Sequence, residues 1–256
     1  DYVISRPESL VINYHNMTPA EFFDPWEPAV AAELDHGRRQ LARLAKRADH
    51  AIADSQFNAD ELLALGMAPS DVSVSPVLFE PLWDASSGSV SSAAGGVRGS
   101  GAPSPGVIGG SGAPSPDVIG DSGAPSPVTM LFVGRLSPNK CQQDLVGVLA
   151  GVVALGVEAR LVLVGGVSSV GFVDAVVGLA QGLGLGDRVV VAGSVSEAEL
   201  VGWYREADVF VSVSEHEGFC VPVVEALGFG VPVVAWGAAA VPETLGGAGL
   251  VFGGRE

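Results

Sequence analysis

From residue 128 onward, short apolar, β-branched runs alternate with longer helical segments, and this rhythm constrains the fold more than any other feature of the chain. TMLFVG at 129–134, ARLVLVG at 159–165, RVVVAG at 188–193, DVFVSV at 208–213, VPVVA at 231–235 and GLVF at 249–252 read as strands. Residues 140–155, 170–184, 196–207 and 221–229 read as the helices between them. Strands that are apolar throughout need cover on both faces, and strands joined through helices pair in parallel. The pattern predicts an α/β fold with a doubly wound parallel sheet, whose ligands bind at the carboxyl ends of the strands. The informative loops are then those after Gly134, Gly165, Gly193 and Val213.

Ahead of this sheet the chain repeats itself: GSGAPSPGVIG, GSGAPSPDVIG and DSGAPSP fill 99–127, after SSGSVSSAAGG at 86–96. Such a unit has too little apolar content to bury a face, so 86–127 is predicted to be a flexible or polyproline-like tether. Further upstream, SLVINY at 9–14, DHAIAD at 49–54 and residues 72–77 are strand candidates. Leu41, Leu44, Ala45 and Ala48 recur at helical spacing after Gly37. Asn58 followed by Glu61 has the pattern of a capping box for a short helix that Gly66 closes. The predicted organisation is a partial Rossmann-like domain over 1–85, a linker over 86–127 and a second Rossmann-like domain over 128–256. Three strands are few for the first domain, the helices that would complete the second are missing, and the chain opens on Asp1. The sequence therefore reads as a fragment or a processed product.

Net charge of −16 and the lack of a basic run argue against nucleic acid as a partner. A nucleotide-sized anion needs only one or two local cations and backbone N–H groups, so it remains compatible with that charge. Cys141 and Cys220 have neither disulfide-framework nor zinc spacing, which fits a reducing, cytoplasmic setting. The longest apolar runs, such as 145–157, fall short of a membrane span.

Two stretches carry chemistry. VGRLSPNK at 133–140 places Gly134, Arg135 and Lys140 where a strand opens into a helix. Two cations and helix N–H groups there suit a diphosphate without a metal; the alternative is a pair of solvated surface cations. SEHEGFCVPVVEALG at 214–228 places Glu217 in a loop and Glu225 on the first turns of the next helix. Carboxylates accept hydrogen bonds from sugar hydroxyls, Gly218 permits close backbone approach, and the N–H groups from Phe219 through Cys220 to Val221 suit a phosphate or sugar oxygen. Glu225 read alone could simply complement the helix N-terminus, which leaves Glu217 unexplained.

With these stretches, AGSVSEAELVGWYREADVFVSVS from Ala192, NYHNMTPAEFF at 13–23 and ADSQFNADELLALG at 53–66, the chain resembles the family 4 glycosyltransferases, which have the GT-B fold and retain anomeric configuration. The resemblance implies a hexosyl transferase moving sugar from a nucleotide diphosphate donor to a glycan, glycolipid or small hydroxyl acceptor. No metal or other cofactor is implied, and peripheral membrane association is compatible with such acceptors. It implies that Arg135 and Lys140 grip the diphosphate, Glu225 holds the ribose, and Glu217 faces the donor sugar. It further implies that backbone around Val190 and Val191 edges the base and that His15 lies near the sugar's hydroxymethyl group. Read without the resemblance, His15 is an ordinary hydrogen-bonded histidine, and His36, His50 and His216 are structural or solvated. Cys141 and Cys220 depart from the family pattern, which has Gly there. A GT-B-like nucleotide-sugar epimerase and a non-catalytic nucleotide-sugar-binding module are the alternatives.

Overall fold

The structure is a computed structural model and describes residues 2–83 and 126–253. The tether expected over 86–127 lies outside the described residues except for its last two. Among the described residues, nine strands form two separate parallel sheets, one of order β1-β2-β3 and one of order β6-β5-β4-β7-β8-β9.

In the three-stranded unit, β1 (Val11–Tyr14), β2 (His50–Ala53) and β3 (Val72–Val74) pack with α1 (Pro28–Ala45) and α2 (Gln56–Ala64). Tyr14, Leu41, Ala45, Ala51, Ala53, Ala59 and Leu62 form its buried centre. Two local expectations are corrected here. The helix expected after Gly37 starts nine residues earlier, at Pro28, whose missing N–H costs nothing in a first helical turn. α2 is capped not by Asn58 and Glu61 but by Ser55, whose hydroxyl accepts from Asn58 N–H at 3.2 Å. The side chains of Asn58 and Glu61 are thereby left for tertiary contacts.

The six-stranded unit follows the predicted alternation: β4 (Val128–Val133), α3 (Gln142–Ala154), β5 (Ala159–Val164), α4 (Val170–Gly182), β6 (Val189–Gly193) and α5 (Glu197–Glu206). It continues through β7 (Val209–Ser212), α6 (Val221–Gly228), β8 (Val233–Trp236), α7 (Val241–Leu245) and β9 (Leu250–Phe252). Successive strand residues serve opposite faces. Met130, Phe132, Leu161 and Leu163 pack with Leu145, Leu149, Phe172 and Val176 of α3 and α4. Leu131, Val162 and Val164 pack with Trp203, Tyr204, Val223 and Ala226 of α5 and α6. Both faces are buried, which is why these strands are uninterrupted apolar runs.

The strand order reverses between β4 and β7, which are paired neighbours although three helices separate them in sequence. In a doubly wound sheet the crevice at such a reversal is the ligand position, and it lies beneath the loops that follow these two strands. Gly165 lets neighbouring strand ends close here: at φ +145° it has no Cβ, and one would stand 1.9 Å from the Gly134 carbonyl oxygen.

Candidate functional site

Both helices that start at the crevice begin in the same unusual way. α3 follows a 3-10 turn over Pro138–Lys140, so it starts two residues later than the pattern from Lys140 suggests, and its N-cap, Cys141, has φ 54°. α6 is preceded by Cys220 at φ 72°. Left-handed backbone is costly for any residue with a Cβ, so the two cysteines occupy positions that favour glycine. Pro222, in the first turn of α6, removes one N–H from that helix start.

A cleft of about 460 Å³ opens between the two units. Its lining includes His15, Asn16 and Phe23 from the three-stranded unit with Gly134, Arg135, Lys140, His216, Glu217, Gly218, Cys220 and Val221 from the six-stranded one. Val191, Phe219 and Glu225 are not among the lining residues. Val190 and Val191 lie on β6, an edge strand two places from the crevice strand β4.

Lys140 Nζ lies 2.5 Å from Glu217 Oε1, and both side chains are largely buried. The two groups assigned by sequence to phosphate and sugar are thus already partners of one another. Arg135 is exposed at the cleft and has no carboxylate partner among the described residues. Its loop is held from behind, since Gln142 Nε2 donates to the Arg135 carbonyl at 3.0 Å. Cys220 faces the same pair, and its thiol is pushed well above its ordinary range, first by burial and then by the Glu217 charge.

Glu225 has a different environment. The Tyr204 hydroxyl donates to Glu225 Oε2 at 2.7 Å, and burial raises the Glu225 carboxyl above its ordinary range although that hydrogen bond opposes the shift. Tyr204 is itself buried and stacked on Phe229, with ring centroids 5.0 Å apart.

On the opposite wall, His15 Nδ1 lies 3.0 Å from Oδ2 of Asp54, which is almost fully buried. A carboxylate accepts, so Nδ1 carries the proton and Nε2 is the nitrogen available to the cleft. Sequence reading did not find Asp54. The register contains the signal, because Tyr14 pairs with Ala53 and the next residue of each strand is His15 and Asp54.

His216, read from sequence as structural or solvated, is the second residue missed. It is 7% exposed and reaches across to the other unit, its Nε2 lying 2.6 Å from Asn16 Oδ1. Burial holds its imidazole below the ordinary histidine range. Gly218, expected to let backbone approach a ligand, lines the cleft and also meets the first unit: a Cβ there would stand 2.6 Å from Asn16 Cβ and 3.2 Å from the His15 carbonyl oxygen. Among the described residues, no group of three or more His, Cys, Asp or Glu side chains is placed to hold a metal ion. No described helix is long and apolar enough to cross a membrane.

A family model described as glycosyl transferases group 1 matches residues 121–249, just over half of the chain. Over 103 residues the chain is 35% identical to the D-inositol 3-phosphate glycosyltransferase 2 of Catenulispora acidiphila, covering 38% of this chain and 24% of that protein. Over 99 residues it is 32% identical to the GDP-mannose:cellobiosyl-diphosphopolyprenol alpha-mannosyltransferase of Xanthomonas campestris, covering 39% of this chain and 26% of that one. These matches therefore span about a quarter of each relative's length. In fold, the chain is similar to Anabaena HepE, solved in complex with UDP and glucose, with a TM-score of 0.68 at 20% identity; 97% of this chain and 59% of that one are covered. It is similar also to sucrose-phosphate synthase of Thermosynechococcus elongatus, with a TM-score of 0.66 at 20% identity over 100% of this chain and 57% of the other.

Proposed function

Because the chain belongs to the glycosyl transferases of group 1, we propose that it binds a nucleoside diphosphate sugar in the interunit cleft and takes part in transferring the hexose to a hydroxyl acceptor. The architecture is of the GT-B kind, an α/β fold with two parallel sheets and a cleft between them. The observation that carries the reading is the convergence of Arg135, Lys140 and Glu217 at the sheet's reversal point, with His15 on the facing wall. A diphosphate placed there draws on Arg135 directly and competes with Glu217 for Lys140. Releasing Glu217 from Lys140 frees its carboxylate to accept hydrogen bonds from sugar hydroxyls. The same two cations stabilise the charge that grows as the bond between the anomeric carbon and the phosphate oxygen breaks.

The transfer we propose is retaining and uses these cations in place of a metal. The electron pair of the breaking bond leaves with the phosphate, the acceptor oxygen bonds the anomeric carbon from the same face, and its proton passes to the departing phosphate oxygen. His15, with Nδ1–H tied to Asp54, presents Nε2 to the sugar. Glu225, outside the cleft lining and held by Tyr204, is assigned to the ribose edge of the nucleotide on the family resemblance. The similar proteins, one named for GDP-mannose and one solved with UDP and glucose, support a hexose on a nucleoside diphosphate as the donor class, and a glycan, glycolipid or small hydroxyl compound as acceptor. The first and second parallel-sheet units correspond, in this proposal, to an acceptor-side domain over 1–85 and a donor-side domain over 128–256, joined by 86–127.

The test is turnover of UDP- and GDP-hexoses by the full chain, with and without hydroxyl acceptors. Transfer that falls about 100-fold in Lys140→Ala and in His15→Ala agrees with the assignment. Tight nucleotide-sugar binding without turnover would make the chain a binding module, and interconversion of sugar epimers without acceptor would make it an epimerase.

A further inference from the structure

The loop joining β7 to α6 is anchored on three sides. Glu215 N–H donates to the Asn139 carbonyl at 3.0 Å, Asn139 Nδ2 donates to the His216 carbonyl at 3.3 Å, and Ala240 N–H donates to the Glu217 carbonyl at 3.2 Å. Asn139 directly precedes Lys140, so the main chain around His216 is tied to both members of the Lys140–Glu217 pair. The third side is the other unit. The His216 ring lies edge-on to Phe57 at 5.5 Å and 6.3 Å from Phe22, and its Nε2–H donates to Asn16 Oδ1.

Asn16 is fixed in turn. Its φ is 82°, a left-handed conformation that asparagine tolerates better than most residues, and its Nδ2 donates to Asn58 Oδ1 at 2.6 Å. Asn58 is fully buried on α2, next to the helix cap at Ser55, so the acceptor offered to His216 is rigidly placed. His216 therefore spans the units between two residues of the cleft: Glu217, which follows it, and His15, which precedes its partner Asn16.

We propose that His216 is a positioning residue, a plug from the six-stranded unit seated in a first-unit socket of Asn16, Phe22 and Phe57, which holds Lys140 and Glu217 in register with His15. The proposal rests on the transferase reading for its effect on turnover, while the seating itself can be tested without it. The ring does two jobs that substitutions separate: its body packs between phenylalanines, and its Nε2–H sets the height of the Asn16 contact. Glutamine can carry an amide N–H to about the same place, whereas leucine fills the socket without donating.

The experiment compares wild type, His216→Leu, His216→Gln and Asn16→Gly in the full chain. Glycine at 16 accepts the left-handed backbone and removes the acceptor. We expect kcat for hexose transfer to fall about 30-fold in His216→Leu and in Asn16→Gly, with KM for the donor and Kd for UDP or GDP within about threefold of wild type. His216→Gln should restore kcat to within about threefold. A folded His216→Leu with unchanged kcat, or a Gln variant as slow as Leu, overturns the positioning role. Equal losses in nucleotide Kd and in kcat would overturn it too, since a plug between units leaves the nucleotide's own contacts intact. The second readout is the imidazole ¹⁵N–¹H spectrum at neutral pH, where a slowly exchanging Nε2–H of His216 should be present in wild type and absent in Asn16→Gly. If the parent turns over no nucleotide sugar, the transferase reading falls and this resonance alone decides the seating: its presence supports the plug and its absence overturns it.

Discussion

Replacing Gly218 by alanine tests whether the two units meet as tightly as the site requires. The backbone at 218 is outside the left-handed region, so alanine introduces no local strain, and the added methyl reads only what lies opposite. Opposite are Asn16 Cβ at 2.6 Å, Asn58 Nδ2 at 3.0 Å and the His15 carbonyl oxygen at 3.2 Å. None is the far end of a flexible side chain: one is fixed to the backbone, one belongs to a fully buried amide and one is backbone. Relief then requires the units to separate by several tenths of an ångström. Overpacking of this kind costs about 1–3 kcal/mol. Charged against the closed arrangement, that lowers its population relative to an open one about 5- to 150-fold. In the proposed transfer His15 acts from one wall and Lys140 from the other, so kcat should fall within that range, while UDP or GDP affinity, assigned in that proposal to the six-stranded unit, should change less than about threefold. Steady-state kinetics beside calorimetric titration measures both. A Gly218→Ala variant with wild-type kcat refutes the claim that this seam is closed during the proposed turnover. Equal losses in kcat and nucleotide affinity would show that residue 218 contacts the ligand rather than the other unit.

Other outcomes follow from the same geometry. Cys220→Gly relieves left-handed backbone strain at the α6 N-cap and should raise stability by about 0.5–1 kcal/mol in chemical denaturation. Cys141→Gly should gain little, because the same relief is offset by loss of a thiol buried in the core. His216 has a folded pKa below its ordinary value of 6.5, so the unfolded chain binds its proton first as pH falls. Its contribution to stability is therefore complete above about pH 6.5 and is lost as pH drops below that value; His216→Gln should flatten this part of the melting-temperature profile between about pH 5 and 7. The Glu225 carboxyl is raised in the folded state, so its charge opposes folding once pH exceeds the ordinary carboxylate range. Glu225→Gln should raise the melting temperature at pH 7 by a few degrees and weaken nucleotide binding about tenfold.

The large sheet was legible because its strands are buried on both faces, so composition alone marks them. What escaped was local or relational. α7 is only five residues long, flanked by glycines and small residues, and produces no helical period. The start of α1 was hidden by a charged and small-residue first half, and the capping pattern at Asn58 matched a motif that Ser55 satisfies three residues earlier. Arg135, Lys140 and Glu217 could be placed together because each follows the end of a crevice strand, a position that the strand pattern specifies. Their direct pairing could not be foreseen, since it depends on the turn at Pro138–Lys140 and on left-handed Cys141. The contact between Asn16 and His216 joins residues 200 positions apart, and within SEHEG a histidine has the look of a solvated loop residue.

The most direct measurement of the site is calorimetric titration of UDP and GDP into the full chain and into Arg135→Ala. Arg135 is the cleft cation without a carboxylate partner among the described residues, so removing it leaves no described carboxylate unpaired. Charge-assisted hydrogen bonds to phosphate contribute about 1.5–3 kcal/mol, so one of the two nucleotides should bind wild type and lose about 10- to 150-fold in affinity in the variant. Binding that is indifferent to Arg135, or no binding of either nucleotide, would contradict it.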